Sequence, residues 1–300
     1  MGRNIVADFW EAGAKEIRIP RSKTHDLRQI ENCHRVVAGA DIVVHAAGTV
    51  GGIGFNQNYP GSLFYDNLLM GINTMEAARL ENVKKFVAIG TICAYPKHTP
   101  TPFREDDIWN GYPEETNAAY GLAKKMLLVQ AQAYRQQFDF NAIYLLPVNL
   151  YGPGEHFETG RSHVIPSLIR KFVEAKEKNL PEVKVWGTGK PTREFLFVED
   201  AAEAIVMATE KYNKPEPVNI GSGQEISIKN LASLIQSTIG YQGVISWEAE
   251  KPDGQQKRRL DVTRAQNEFG FTASTNFEEG LKETIRWYLN NRKSTRRQGS

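Results

Sequence analysis

Thr91, Tyr120 and Lys124 have types and spacing that suit proton handling at an oxygen. Tyr120 and Lys124 stand four residues apart in NAAYGLAKK. On a helix that spacing places the phenol and the ammonium on one face. A phenol exchanges protons poorly near neutrality, and a nearby cation favours its phenolate. Tyr120 could then give a proton to, or take one from, an oxygen on a carbon undergoing hydride transfer, with Thr91 sharing the hydrogen bond to that oxygen. Taken alone, Tyr-x-x-x-Lys is common on exposed helix faces. Thr91 tips the balance the other way, because it follows the run Lys85–Ile89 at the carboxyl end of a strand, where parallel sheets take their ligands.

The elements that must position these residues are legible as alternation. Short β-branched runs at Glu16–Pro20, Asp41–Ala46, Lys85–Ile89, Asn141–Pro147, Lys184–Trp186 and Val218–Ile220 read as strands. Stretches such as Leu68–Asn82 and Ala119–Phe138 carry apolar residues at helical spacing. The pattern predicts an α/β fold with a doubly wound parallel sheet and a smaller C-terminal substrate lobe. The expected dinucleotide-binding domain spans 1–151, with 184–220 contributing. The lobe takes 152–183 and 221–290, and 291–300 form a tail. Residues 1–23 read as an amphipathic helix, a turn at Gly13 and the strand Glu16–Pro20.

Composition excludes several classes. With 300 residues, 41% hydrophobic, the chain can bury a sizeable core. A net charge of +2 with both signs interspersed gives no basic stripe, so no nucleic-acid partner is expected. Arg292-Lys293 and Arg296-Arg297 read as a solvated tail. No apolar run is long enough to cross a membrane, and no signal-peptide pattern is present, so the expectation is a cytoplasmic protein with no membrane partner. Cys33 and Cys93 do not look like a disulfide framework, and no metal-ligand cluster is apparent.

The segments HAAGTVGGIG, GTICAYPK, EETNAAYGLAKK, PVNLYGPG, SHVIPSLIRKF and VWGTGKPTREFLFVEDAAEA resemble the extended short-chain dehydrogenase/reductases, from Gly2 to about Tyr288. Cys93 two residues after Thr91, together with Ser-His-Val-Ile-Pro around His163, is similar to the branch that epimerises a GDP-4-keto-6-deoxyhexose at carbons 3 and 5 and reduces carbon 4 with NADPH. The resemblance implies a Rossmann-like sheet, NADP(H) as cofactor, a GDP-sugar substrate and a homodimer. In that dimer, helices 68–82 and 120–138 would pack as a four-helix bundle, with Met70, Met75, Leu127 and Leu128 supplying apolar surface.

It also implies that Cys93 and His163 are the acid and base of epimerisation. A thiol and an imidazole straddle neutrality and suit exchange at carbons acidified by a neighbouring ketone. The bland readings are a small buried hydrophobe for Cys93 and a structural loop histidine for His163. For the cofactor the resemblance points to Gly2, Ala46, Ala47, Gly48, Ile89, Gly90, Tyr120, Lys124, Pro147, Asn149, Leu150 and His163. Arg21 follows the second expected strand where NAD-preferring folds carry an acid, and its planar fork suits a 2′-phosphate. Lys171, Trp186 and Arg193 match positions for the GDP-sugar, Trp186 also having a core reading.

Three departures stand out. Thr49 replaces a lysine, and Thr91 stands where serine is commoner. Gly2 aligns with the last glycine of the family's phosphate-loop fingerprint, so the first strand and loop are missing, and the expectation is a coding sequence extending upstream in frame by roughly ten to twenty codons. As written, the chain would bind NADPH weakly, with 1–45 its least stable region. Two readings therefore stand: an active epimerase/reductase, on this or a related nucleotide sugar, and a non-catalytic protein that kept the sugar-nucleotide lobe.

Overall fold

Helix α1 (Gly2–Glu11) ends at a turn through Gly13, whose φ of +90° suits glycine. The strand expected at Glu16–Pro20 is not formed. Ile17 and Ile19 alternate as in a strand, but a strand needs a neighbour to bond to, and among the described residues none flanks this stretch. It runs exposed, with Arg18 bonded to Glu16 and to the Ala38 carbonyl. The structure, a computed structural model, describes residues 1–158, 162–251 and 253–295, without the side chains of Ile53 and of 293–295.

The chain continues through α2 (Ile30–Val37), β1 (Ile42–His45), α3 (Ile53–Asn58), α4 (Pro60–Leu80), β2 (Lys85–Ile89), α5 (Ala118–Phe138) and β3 (Ala142–Pro147). β4 (Asn149–Tyr151), α6 (Val164–Glu177), β5 (Glu182–Trp186), β6 (Thr192–Phe197), α7 (Val198–Lys211) and β7 (Val218–Ile220) follow. β8 (Glu225–Ser227), α8 (Ile228–Ile239), β9 (Val244–Glu248), β10 (Lys257–Arg258), α9 (Thr263–Phe269) and α10 (Phe277–Thr295) complete it. No helix among the described residues is long and apolar enough to cross a membrane.

The central sheet has the order β1-β2-β3-β7, all parallel, with Ile89 beside Leu145 and Leu145 beside Val218. Helices α2, α4 and α5 cover one face, while α7 and α9, with α1 docked on α7, cover the other. β2 and β3 are buried along their whole length, as sheets covered on both sides require. Pro60 in the first turn starts α4 earlier than the expected Leu68, and left-handed Asp139 closes α5. Met75, Leu127 and Leu128, read from the sequence as spare surface, are buried in the core. Gly71 lets α4 approach so closely that a Cβ there would lie 2.4 Å from Leu127.

A second core lies beyond β3. β6 pairs with β4, β10 and β8, and β5 pairs with β9 in a separate ribbon. The expected strand at Lys184–Trp186 thus exists, but outside the central sheet: Val183 and Val185 pack with α6 and α8 residues such as Phe172 and Ile235. α10 runs past the expected tail boundary to Thr295, and Arg292 on it pairs with Glu177. Of the rest of that basic tail, Arg296 and Arg297 lie outside the described residues, as does the Lys293 side chain.

Candidate active site

The carboxyl ends of β1, β2 and β3 open onto one edge, and the chemistry-bearing residues collect there. Beyond Ile89, the Gly90 amide bonds to the Leu145 carbonyl at 2.7 Å. A side chain at Gly90 would strike the Tyr144 ring, its Cβ lying 2.4 Å from the phenol. Thr91 then opens a single 3-10 turn, Ile92–Ala94, its hydroxyl accepting the Cys93 N–H at 3.2 Å. The first turn of α5 lies directly on this one. At Gly121 a Cβ would come 2.2 Å from the Cys93 carbonyl oxygen, so only glycine lets α5 seat. That seating puts Tyr120 in hydrogen-bond reach of Thr91 and beside Cys93.

Burial pushes the Tyr120 phenol above its ordinary pKa, Cys93 beside it adds to the rise, and the Thr91 hydrogen bond opposes it. Burial pulls Lys124 down to about 8. Its ammonium donates to the Ala47 carbonyl at 3.0 Å. The loop carrying Ala46, Ala47 and Gly48 is gripped by Asn67 of α4, whose amide group accepts from Thr49 N–H at 3.0 Å and donates to Thr49 and Leu63 carbonyls at 2.9 and 2.7 Å. His45, buried at the end of β1 and held neutral with a pKa of about 3, has no partner for Nε2 among the described residues. An ammonium with three donors and, among the described residues, one protein acceptor, beside small residues and glycines, fits the ribose hydroxyls of a dinucleotide.

The second core faces the same edge. Arg258 and Arg193 are register partners on β10 and β6. Arg258 Nη1 lies 3.9 Å from Cys93 Sγ, and its Nε donates to Gln255 at 2.8 Å. Arg193 donates to backbone carbonyls, of Thr192 at 2.7 Å and Asp253 at 3.3 Å. Burial, then the neighbouring Arg258, draws Arg193 down to about 10. Among the described residues neither guanidinium is in an ion pair with a carboxylate. Two crowded, buried guanidinium groups, with Asp253 and Glu114 offsetting only part of the charge on Arg193 and no carboxylate paired to either among the described residues, suit an anionic ligand. Trp186 is 57% exposed, so its core reading falls, and it stands at the end of β5 next to the Gly187–Thr188 turn that Asp253 holds. Lys171 reaches the same strand, donating to the Lys184 carbonyl at 2.8 Å. Asn149, between the cores, donates to the Glu194 carbonyl at 3.0 Å; Leu150 follows it and Pro147 ends β3 two residues before it.

The structure thus joins Thr91, Cys93, Tyr120 and Lys124, and adds Arg258 and Asn67, which sequence reading missed. The RR pair in KPDGQQKRRLDVTRA was the available signal for Arg258; Asn67 is one of several polar residues of α4, and nothing in the sequence singles it out. It does not join His163 to them. His163 is exposed at the start of α6, and its ring has no hydrogen-bond partner among the described residues. The preceding Ser162 carbonyl lies near Gly52, so His163 belongs to the rim of the edge. Arg21 is exposed, its carbonyl organising a turn with Thr24 and His25, and Gly2 begins α1 in open space.

The NAD dependent epimerase/dehydratase family model matches residues 1–221. A probable GDP-L-fucose synthase 1 of Oryza sativa subsp. japonica is 43% identical over 83% of this chain and 76% of its own. A GDP-6-OMe-4-keto-L-xylo-heptose reductase from C. jejuni superposes with a TM-score of 0.90 at 25% identity, covering 97% of this chain and 94% of that one. A GDP-L-fucose synthetase from Naegleria fowleri bound to NADP gives 0.88 at 26% identity, covering 98% and 92%.

Proposed function

The chain belongs to the NAD dependent epimerase/dehydratase family, and we propose that it is an NADPH-dependent 3,5-epimerase/4-reductase converting GDP-4-keto-6-deoxy-D-mannose to GDP-L-fucose. The observation that carries this reading is the seating of Tyr120 against Thr91 and Cys93 at the sheet edge, with the Arg258 guanidinium 3.9 Å from the Cys93 sulfur. It is supported by the rice relative. When bound, NADPH supplies the hydride to carbon 4. Tyr120, held protonated by its burial, donates its proton to the carbonyl oxygen, Thr91 shares that hydrogen bond, and Lys124 stabilises the charge that develops. Cys93 and His163 exchange protons at carbons 3 and 5 from opposite sides of the sugar.

Lys124, Ala46, Ala47, Gly48, Ile89, Gly90, Pro147, Asn149 and Leu150 border the cofactor, Gly2 its pyrophosphate, and Arg21 its 2′-phosphate. Arg193 and Arg258 take the substrate pyrophosphate, with Lys171 and Trp186 toward the nucleotide. Residues 1–151 with β7 form the dinucleotide-binding part. Two free thiols suit the reducing cytoplasm. Exposed Phe64, Tyr65 and Leu80 on α4 and Val129 on α5 supply a face for a homodimer.

The test is incubation with GDP-4-keto-6-deoxymannose and NADPH, following NADPH absorbance and deuterium uptake from solvent. Oxidation with uptake at two carbons is expected, and no turnover would overturn the reading. The exposure of His163, whose ring has no hydrogen-bond partner among the described residues, favours a second reading, reduction of a GDP-4-ketosugar without epimerisation, as the name of the C. jejuni reductase has it. Oxidation of NADPH without deuterium uptake would select it.

A further inference from the structure

Glu194 is wholly buried, and no cation pairs with it among the described residues. Desolvation drives its carboxyl up to about 7, and only hydrogen bonds oppose the rise. One oxygen, Oε2, accepts the Leu260 N–H at 2.6 Å. The other, Oε1, accepts the Gly223 N–H at 2.7 Å and the Ser222 hydroxyl at 3.5 Å. Gly221 makes room for it, since a Cβ there would lie 2.3 Å from Oε1. A neutral Gln would be cheaper to bury, but its NH2 would face one of these N–H donors. Only an ionised carboxylate satisfies both sides at once.

The two segments it holds matter for the site. Leu260 lies two residues beyond Arg258, so the bond fixes the end of β10 against β6. Ser222 and Gly223 follow β7 of the central sheet. Glu194 itself follows Arg193 on β6, and side chains alternate along a strand, so Arg193 turns to the ligand edge while Glu194 turns inward. One carboxylate thus ties β6, β10 and the loop after β7 together directly behind two guanidinium groups that repel each other.

We propose that Glu194 is a positioning residue that holds Arg193 and Arg258 in register to receive the nucleotide-sugar diphosphate, setting substrate affinity without touching the ligand. The proposal rests on the assignment of those two arginines to the substrate pyrophosphate. Tyr120, Thr91 and Lys124 stand on α5 and the β2 end, which Glu194 does not contact, so its loss acts on sugar binding and not on hydride transfer.

The experiment measures binding of GDP and, separately, of NADPH to the full chain by calorimetry, with KM and kcat for the ketosugar. Hydrogen bonds to a charged group contribute about 1.5–3 kcal/mol, so Glu194→Gln should weaken GDP binding and raise the sugar KM about ten- to hundredfold, with NADPH affinity and kcat retained. Glu194→Gln that binds both ligands like the wild type overturns the proposal. If that variant loses NADPH binding through misfolding, Gly221→Ala decides, because its methyl meets the Glu194 carboxylate first, at 2.3 Å, and Val262 next, at 3.3 Å: selective loss of GDP affinity supports the role, and unchanged GDP affinity overturns it. Wild-type protein that fails to bind GDP also overturns it. Wild-type protein that binds GDP yet leaves the ketosugar unreduced overturns the assigned reaction while the positioning role stands.

Discussion

At Lys124 an ammonium that can donate three hydrogen bonds is buried with one acceptor among the described residues, the Ala47 carbonyl, and burial has brought its pKa down to about 8. The charged form therefore prevails below about 8 and is lost as pH rises through that value. NADPH oxidation should hold from neutral pH upward and fall on the alkaline side of about 8, and Lys124→Gln, with no proton to lose, should be slow and show no such fall; an unchanged alkaline limb in the variant would assign it to another group. Tyr120 carries the complementary role. Tyr120→Phe should cut NADPH oxidation by about 10²–10⁴ while some deuterium exchange persists, the usual cost of one acid/base group. Cys93→Ser should do the reverse and suppress exchange first. A serine variant with full exchange and turnover would make the thiol structural, a small neighbour for Arg258 rather than a base.

Elements decide whether those residues meet. The Tyr120–Lys124 spacing and the apolar repeat of α5 were legible, as were the buried runs of β2 and β3, because each is a local pattern imposed by a local requirement. Glu16–Pro20 has the same local alternation and fails, since a ladder depends on a neighbour that alternation cannot report. β5 was legible as a strand but not its partner β9, a choice made by the second core. For the same reason the approach of Arg258 to Cys93, 165 residues apart, could not be read: it follows from the β6–β10 register. Nor could the contact at Gly121, which looks like a weak helix residue in sequence and is a docking point in space. Gly121→Ala would drive a methyl into the Cys93 carbonyl and lift the first turn of α5 off Thr91. Overpacking of this kind costs about 1–3 kcal/mol. Thermal unfolding should show that loss, and turnover should fall with it; a variant as stable and active as the wild type would mean that α5 has slack at this point.

The molecule as a whole sets two cores on either side of the edge where Tyr120 stands on α5 and Arg193 and Arg258 on β6 and β10. Such an arrangement works only if α4 and α5, which carry Asn67, Tyr120 and Lys124, keep their place on the sheet. Their inner faces are fully used: Met75, Leu127 and Leu128 are buried, and Leu127 fills the gap left by Gly71. Their outer faces are not, because Phe64 and Tyr65 at one end of α4, Leu80 at the other, and Val129 on α5 remain exposed. Large apolar side chains gathered on paired helices are better covered by a second copy than by water, and a two-fold axis would cover both helices with the same residues. Light scattering at micromolar concentration should therefore give twice the chain mass. Tyr65→Arg combined with Val129→Arg, which places like charges at the proposed contact without touching the ligand edge, should halve it and lower the unfolding temperature. A wild-type mass of one chain, or a double variant that still measures as a pair, would show that this face does not join two copies.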